Sequence, residues 1–464
     1  MKKFAPSQSG TRALEMKSAG RRAALRGIAA SGLIAALSGQ GSAAKADERS
    51  AAAEVAGANV EPVRVARAGA ARASVVVIGG GFAGASCARA LKAADRSVAV
   101  TLIEPNARYI ACPLSNAVIA GFREIGSQEF GYAKLESLGI KVLPHSVTAV
   151  DAQRRQVRLD DGSQISYARL VVAPGVDLRF DAIAGYDQAA ADVMPHAWKA
   201  GEQTLLLRRQ LEAMKDGGLV VLSAPANPFR CPPGPYERAS LIAHYLKTRK
   251  PRSKLILLDA KDAFSKQRLF EAAWKELYPG LIEWVSLSFG GQVTRVDAST
   301  RTLVTEFGSH RADVANVIPP QRAGAAAAIA GVADQTGWCP VDPASFESRL
   351  QPGMHVIGDA VIAGAMPKSA FAAHAQAQVC AAAIANLLRD RPPQEPKLIN
   401  TCYSLVAPDY AISIAGVYRP VDGVLTEVAG AGGVSPLDAP RSVRSLEAVY
   451  AEAWFGTVTR NAFG

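Results

Sequence analysis

The chain has 464 residues, room for about three domains at roughly 150 residues each. Apolar residues make up 49% and charged residues 20%, an ordinary balance for a globular protein with a large core. The formal net charge is +11, but residues 1–46 hold eight Lys/Arg against Glu15 alone, so most of the excess belongs to the start of the chain and gives no reason to invoke nucleic acid.

In chain order, Arg21-Arg22 precedes a short, mildly apolar stretch from Ile28 to Leu37, then small residues around Ala44-Lys45-Ala46. The stretch is too short to span a bilayer. It reads as an export signal over residues 1–46, and the twin arginine points to the route that carries folded, cofactor-loaded proteins. The expected location is therefore the periplasm. Residues 47–72, rich in Ala and mixed charge, read as a linker. No later stretch predicts a transmembrane helix, so no integral membrane contact is expected.

Ser74 to Ile78 is a β-branched run that fits a strand buried on both faces. Gly79, Gly81 and Gly84 follow as G-x-G-x-x-G, then a small-residue helix, then a strand from Val98 to Ile103 ending in Glu104. Gly79 permits the tight turn, Gly81 lets the backbone approach a pyrophosphate, and Gly84 lets helix and strand pack closely. Glu104 is placed to accept hydrogen bonds from ribose hydroxyls. Leu170 to Gly175 resembles a second segment of FAD-binding proteins, with Ala173 at its turn. Met354 to Ala360 resembles a third, in which Gly358 and Asp359 meet the ribityl chain. A helix beginning near Pro367-Lys368-Ser369 points its positive end at the flavin, with Lys368 as an added cation. Val147, in the intervening segment, is counted with this cofactor-binding set.

A second β-α-β outline follows: a strand from Gly218 to Ser223, a helix from Tyr236 to Lys247, and a strand from Lys254 to Asp259. Its turn carries prolines where free backbone N–H groups should cradle a pyrophosphate. This domain is expected to keep the fold of an NAD-binding unit without binding a nicotinamide nucleotide.

Six cysteines remain: Cys87, Cys112, Cys231, Cys339, Cys380 and Cys402. Six over this length is no stapled scaffold, and no Cys-x-x-Cys-His or histidine pattern predicts haem or a metal on this chain. The strings Tyr109-Ile-Ala-Cys112-Pro, Phe229-Arg-Cys231-Pro-Pro-Gly-Pro-Tyr-Glu237 and Asn400-Thr-Cys402-Tyr-Ser resemble the flavoprotein subunit of flavocytochrome c sulfide dehydrogenase, within the sulfide:quinone oxidoreductase group. The resemblance covers essentially all of residues 74–464. It implies that Cys112 carries FAD covalently and that Cys231 and Cys402 form a redox disulfide beside the flavin. Hydrosulfide would attack that disulfide, two electrons would pass to FAD, and Glu237 would accept the proton. Cys339 competes with Cys402 as the partner of Cys231. Cys87 and Cys380 read as core filling.

The expected fold is α/β, with two Rossmann-like dinucleotide-binding domains and a C-terminal α+β interface domain. A discontinuous FAD domain (73–184 and 326–397) flanks the degenerate NAD-type domain (185–325), and residues 398–464 form the interface domain. The last segment reads as two strands, a loop from Asp422 to Pro440, and a helix from Val443 to Trp454. The family implies a separate c-type cytochrome subunit as electron acceptor. Reduction of quinone, or an accessory role on the thiols of a sulfur-oxidation partner, are the alternatives.

Overall fold

The computed structural model describes residues 73–464, so the leader and linker lie outside the described residues. Hydrophobic strand Ser74–Ile78 (β1) lies at the centre of a parallel five-stranded sheet. Arg169–Val172 and then Met354–Val356 stack on one side of it, and Ala99–Ile103 and then Lys141–Leu143 on the other. Val75 to Val77 are almost fully buried, as a strand covered on both faces requires. One sheet thus draws strands from chain segments nearly 280 residues apart, about the separation of Ser74 and Met354. That is the discontinuity expected of the FAD domain.

Helix Phe82–Ala94 (α1) packs extensively on helix Ala370–Leu387 (α2). Alanine dominates both, so their backbones approach closely. From the chain between Val172 and Met354, strands Leu219–Ala224, Lys254–Asp259, Ile282–Val285 and Val314–Val317 form a second parallel sheet. Helix Gly234–Arg249 (α3) crosses over it. The molecule is therefore the α/β fold with two dinucleotide-binding domains that the sequence predicts.

The C-terminal unit pairs Leu398–Ala407 with Tyr410–Val421 over a long antiparallel register, and helix Arg441–Ala462 (α4) packs across both. Two expectations need correction here. The predicted loop 422–440 contains strand Val424–Glu427 and the short strand Gly433–Val434, both paired to Tyr410–Val421. Helix α4 is also longer at both ends than the sequence predicts. Its far end is held by Phe463, whose ring stacks on Tyr109 and Phe130 at 5.3 and 5.2 Å. No helix among the described residues is long and apolar enough to cross a membrane.

Candidate active site

A cavity of about 520 Å³ opens where the two sheets and the C-terminal unit meet. At one end is the glycine turn. Gly79 has φ +98°, and a Cβ there would lie 2.3 Å from the Ala173 carbonyl oxygen. A Cβ on Gly84 would lie 1.9 Å from the Gly79 carbonyl, so only glycine lets α1 pack on this turn. Gly84 acts through this packing and does not itself line the cavity; Gly79, Gly81 and Ala173 do. The Glu104 carboxylate also lines it, held by Gly80 N–H at 2.8 Å and by Asn106 N–H at 3.0 Å. Lone pairs remain for a ligand's hydroxyls.

Further in, Gly358 and Asp359 line the wall. Gly358 N–H donates to Gln376 Oε1 at 2.8 Å. Burial raises the Asp359 carboxyl above the usual range, and its Oδ1 is buried without a hydrogen-bond partner. A buried carboxylate oxygen without a donor calls for one from a ligand, and the ribityl hydroxyls of FAD are such donors. The start of α2 also faces the cavity. Ser369 caps it, accepting from Ala372 N–H at 3.0 Å. The glycine turn, the acid at the ribose position, the unsatisfied Asp359 oxygen and the helix amino end all fit FAD.

Two residues assigned to the cofactor from sequence stand elsewhere. The Lys368 ammonium donates to the Asp359 and Val361 carbonyls at 2.8 and 2.6 Å and lies 3.9 Å from the centre of the Trp338 ring. It braces the Asp359 loop and does not line the cavity, because those carbonyls outcompete open space for a buried ammonium. Val147 opens a short antiparallel strand, Val147–Asp151, and packs against the core outside the cavity. The wall cation beside Asp359 is Arg230, 3.9 Å from its carboxylate.

The cavity also collects the chemically reactive residues. Cys112, Cys231, Cys402 and Glu237 all line it, from three separate stretches of chain. All six cysteines are unbonded thiols in this structure. Cys112 Sγ lies 3.8 Å from the Trp198 carbonyl oxygen. Cys231 sits just before α3 with φ +59°, its N–H donating to the Lys368 carbonyl at 2.8 Å. Cys402 lies in strand Leu398–Ala407, and Asn400 Nδ2 donates to its sulfur at 3.3 Å. Cys339 is buried on a short strand beside Val361 and does not line the cavity. Of the two candidate partners, Cys402 and not Cys339 shares the cavity with Cys231.

Glu237 is 8% exposed, and Asn116 Nδ2 donates to its Oε1 at 3.0 Å. Burial raises its carboxyl above the usual range, which makes it a stronger proton acceptor than an exposed carboxylate. Burial, then the neighbouring Glu237 and Cys402, pushes the Cys231 thiol well above the usual cysteine range.

In the second nucleotide fold, Asp259 ends its strand where an acid would meet a ribose. Its carboxylate is already taken by Tyr236 Oη at 2.6 Å, Lys261 Nζ at 2.5 Å and Trp284 Nε1 at 3.1 Å. Phe264 stacks on Tyr236 at 3.6 Å. Side chains of the protein occupy the acid that a nucleotide would need.

Comparison with known proteins now bears on this arrangement. Residues 204–319 match the family model of the central part of the sulfide dehydrogenase (flavocytochrome c) flavoprotein chain. Residues 394–463 match the flavin-binding part of flavocytochrome c sulfide dehydrogenase. The chain belongs to the flavoprotein family of flavocytochrome c sulfide dehydrogenase and sulfide:quinone oxidoreductase. Residues 73–205 match the broader pyridine nucleotide-disulfide oxidoreductase family. A sulfide dehydrogenase flavoprotein chain of Chlorobaculum thiosulfatiphilum is 57% identical over 44 residues, 10% of this chain and 92% of that sequence. Mouse mitochondrial sulfide:quinone oxidoreductase is 24% identical over 323 residues, covering 66% of this chain and 68% of the relative. The sulfide:quinone oxidoreductase structure from Aquifex aeolicus superposes with a TM-score of 0.68 at 17% identity, covering 84% of this chain and 92% of that one. It shares the fold.

Several residues of this family member's site escape sequence reading. Arg238, fully buried, donates to Asn116 Oδ1 at 3.0 Å, Asn316 Oδ1 at 2.9 Å and the His196 carbonyl at 2.9 Å, tying the Glu237 helix to the second sheet. Lys266 reaches the Cys402 strand from a loop. Neither lies in a pattern with a fixed spacing. The only sequence signal for Arg238 is its place beside Glu237.

Proposed function

We propose that this oxidoreductase is the flavoprotein subunit of a periplasmic sulfide dehydrogenase that passes electrons to a c-type cytochrome. The observation that carries the reading is the convergence of Cys231, Cys402 and Glu237 on a cavity whose other end is built for FAD. Cys112, at the same wall, is the residue that would tether the cofactor. Gly79, Gly81, Glu104 and Asp359 would hold it. FAD, when bound, supplies an acceptor for two electrons that can be released singly.

The protein's own part is sulfur chemistry and proton handling. In the oxidised enzyme Cys231 and Cys402 share a disulfide. Hydrosulfide forms a new S–S bond to one of these sulfurs, the Cys231–Cys402 bond breaks, and the electron pair leaves on the other sulfur as thiolate. Glu237 accepts the proton of the resulting persulfide. Its buried position, with Asn116 fixing one oxygen, keeps it oriented for that transfer. The occupied Asp259 supports an electron path that does not begin or end at NAD.

For the acceptor, helix α4 carries Val443, Leu446, Val449 and Tyr450 exposed, and the same helix reaches the cavity at Ala451 and Trp454. An apolar exposed row leading to the cofactor cavity suits a docked protein. The test is steady-state sulfide oxidation by the purified chain with soluble cytochrome c or with a short-chain quinone, alone and with its cytochrome subunit. Cytochrome reduction supports the reading. Quinone reduction in its place moves the enzyme to the sulfide:quinone branch, and reduction of neither favours the accessory role.

A further inference from the structure

Each of the three residues after Gly79 in the first nucleotide turn meets an aromatic ring. A Cβ on Gly80 would strike the Tyr132 hydroxyl, and that hydroxyl donates to the Gly80 carbonyl at 3.1 Å. A Cβ on Gly81 would lie 3.3 Å from the Tyr109 ring. Phe82 brings its own ring, edge-on to Tyr109 at 5.5 Å. Tyr109 and Phe82 line the cavity together with Gly80 and Gly81. Tyr109, Phe82 and Tyr132 all meet one further ring, that of Phe463, at 5.3, 5.6 and 6.4 Å. Phe463 is 4% exposed and does not itself line the cavity.

Phe463 belongs to the C-terminal unit and not to the FAD domain. It follows α4, and its N–H donates to the Thr459 carbonyl at 2.8 Å. Arg89, on the glycine turn's own helix α1, grips this end by donating to the Arg460 carbonyl at 2.9 Å and to the Gly464 carbonyl. The ring layer over the turn is thus closed by one residue from another unit. That layer bears on binding. A diphosphate is held by backbone N–H groups, and they bind best when their directions are fixed beforehand. Glycine backbone is the least fixed of all. Rings packed on Gly80 and Gly81 supply the missing rigidity. Tyr109 is only half-buried, with the cavity on one side. Without Phe463 its ring has room to turn away from Gly81.

We propose that Phe463 is a positioning residue for the cofactor: acting through Tyr109 and Tyr132, its ring sets the turn from Gly79 to Phe82 in the form that receives the adenosine diphosphate half of FAD. This deepens the FAD reading of the cavity and rests on it. The C-terminal unit then serves both ends of the site, since the same unit carries Cys402 to the sulfur end.

The test is calorimetric titration of the full-length apoprotein in a Cys112→Ser background, where the flavin is exchangeable. FAD, ADP and riboflavin 5′-phosphate are the separate probes, and melting temperature is followed in parallel. Phe463→Ala should weaken FAD and ADP alike, by about tenfold, the scale of a lost aromatic contact. Its affinity for riboflavin 5′-phosphate should be unchanged. Phe463→Tyr keeps the ring and should bind all three probes as the background does. Tyr109→Ala should reproduce the loss of ADP affinity, and adding Phe463→Ala to it should cost less than about a further twofold, as for two residues acting on one path. ADP affinity in Phe463→Ala equal to the background overturns the proposal. An equal loss for riboflavin 5′-phosphate also overturns it, because that is the mark of general loosening. Should Phe463→Ala not fold, Phe463→Leu fills most of the same space without a ring and is read by the same titrations and the same criteria. A background protein that binds neither FAD nor ADP overturns the FAD reading and this proposal together, whereas normal ADP binding by the Phe463 variants overturns the proposal alone.

Discussion

Glu237 combines a titratable group, near-complete burial and a place in the cavity, so its charge state carries consequences for both rate and stability. Its carboxyl is raised above the ordinary 4.5 by burial. The folded state therefore binds its proton more tightly than the unfolded chain does. Stability from this group is full below the unfolded pKa and is lost as pH rises through the folded one. Glu237→Gln should lessen the fall in urea stability as pH rises above the ordinary 4.5, measured by chemical denaturation at several pH values. The same change should slow sulfide-driven flavin reduction by about 10²–10⁴-fold, the range of a lost general base, with flavin content unchanged. Among the cysteines, Cys231→Ser and Cys402→Ser should each abolish reduction by sulfide and leave FAD bound. Cys339→Ser should leave reduction intact, because Cys339 lies away from the cavity wall. Cys112→Ser should leave a flavin that acid denaturation releases fully to the supernatant. Retention by the wild-type pellet is the expected contrast.

At the scale of elements, the start of α2 ties cofactor to chemistry. Ser369 Oγ accepts from Ala372 N–H and donates to Asn400 Oδ1 at 2.6 Å, and Asn400 Nδ2 in turn reaches the Cys402 sulfur. Ser369→Ala removes a helix cap and leaves Asn400 a buried oxygen without a donor. The expected cost is about 1–2 kcal/mol of unfolding free energy, read from denaturant midpoints. The first β-α-β unit was legible because its glycines obey a steric rule: Gly79 and Gly84 stand where a Cβ would strike backbone. The degenerate turn was legible for the complementary reason, since proline removes the N–H groups a phosphate needs. Lys368 misled because its place before a helix suggests a free cation, and sequence does not reveal that two carbonyls and Trp338 take it. Lys266 was invisible because it lies in a charged turn without periodicity, and the Cys402 carbonyl it donates to lies on a strand 136 residues away. The two short strands within 422–440 were hidden by Gly/Pro-rich composition; they exist by pairing to the long strand Tyr410–Val421.

At the scale of the whole molecule, two nucleotide folds have taken different paths. The first keeps its turn, its acid and an unsatisfied aspartate oxygen facing a cavity. The second keeps its sheet and fills its ligand positions with Tyr236, Phe264 and Trp284. Anaerobic mixing with excess NADH should therefore leave the flavin spectrum unchanged over minutes in a stopped-flow spectrophotometer. Rapid bleaching by NADH would show that a nucleotide reaches the flavin by a route this geometry does not provide. The cavity brings Cys231 and Cys402 together from positions far apart in sequence, and this union is what the account of function depends on. It is tested most directly by anaerobic titration of the purified holoenzyme with sulfide, following flavin absorbance, for the wild type beside Cys402→Ser. The account predicts prompt, full bleaching of the wild-type flavin and none in Cys402→Ser at equal flavin content. Bleaching of both at the same rate, or of neither, would contradict it.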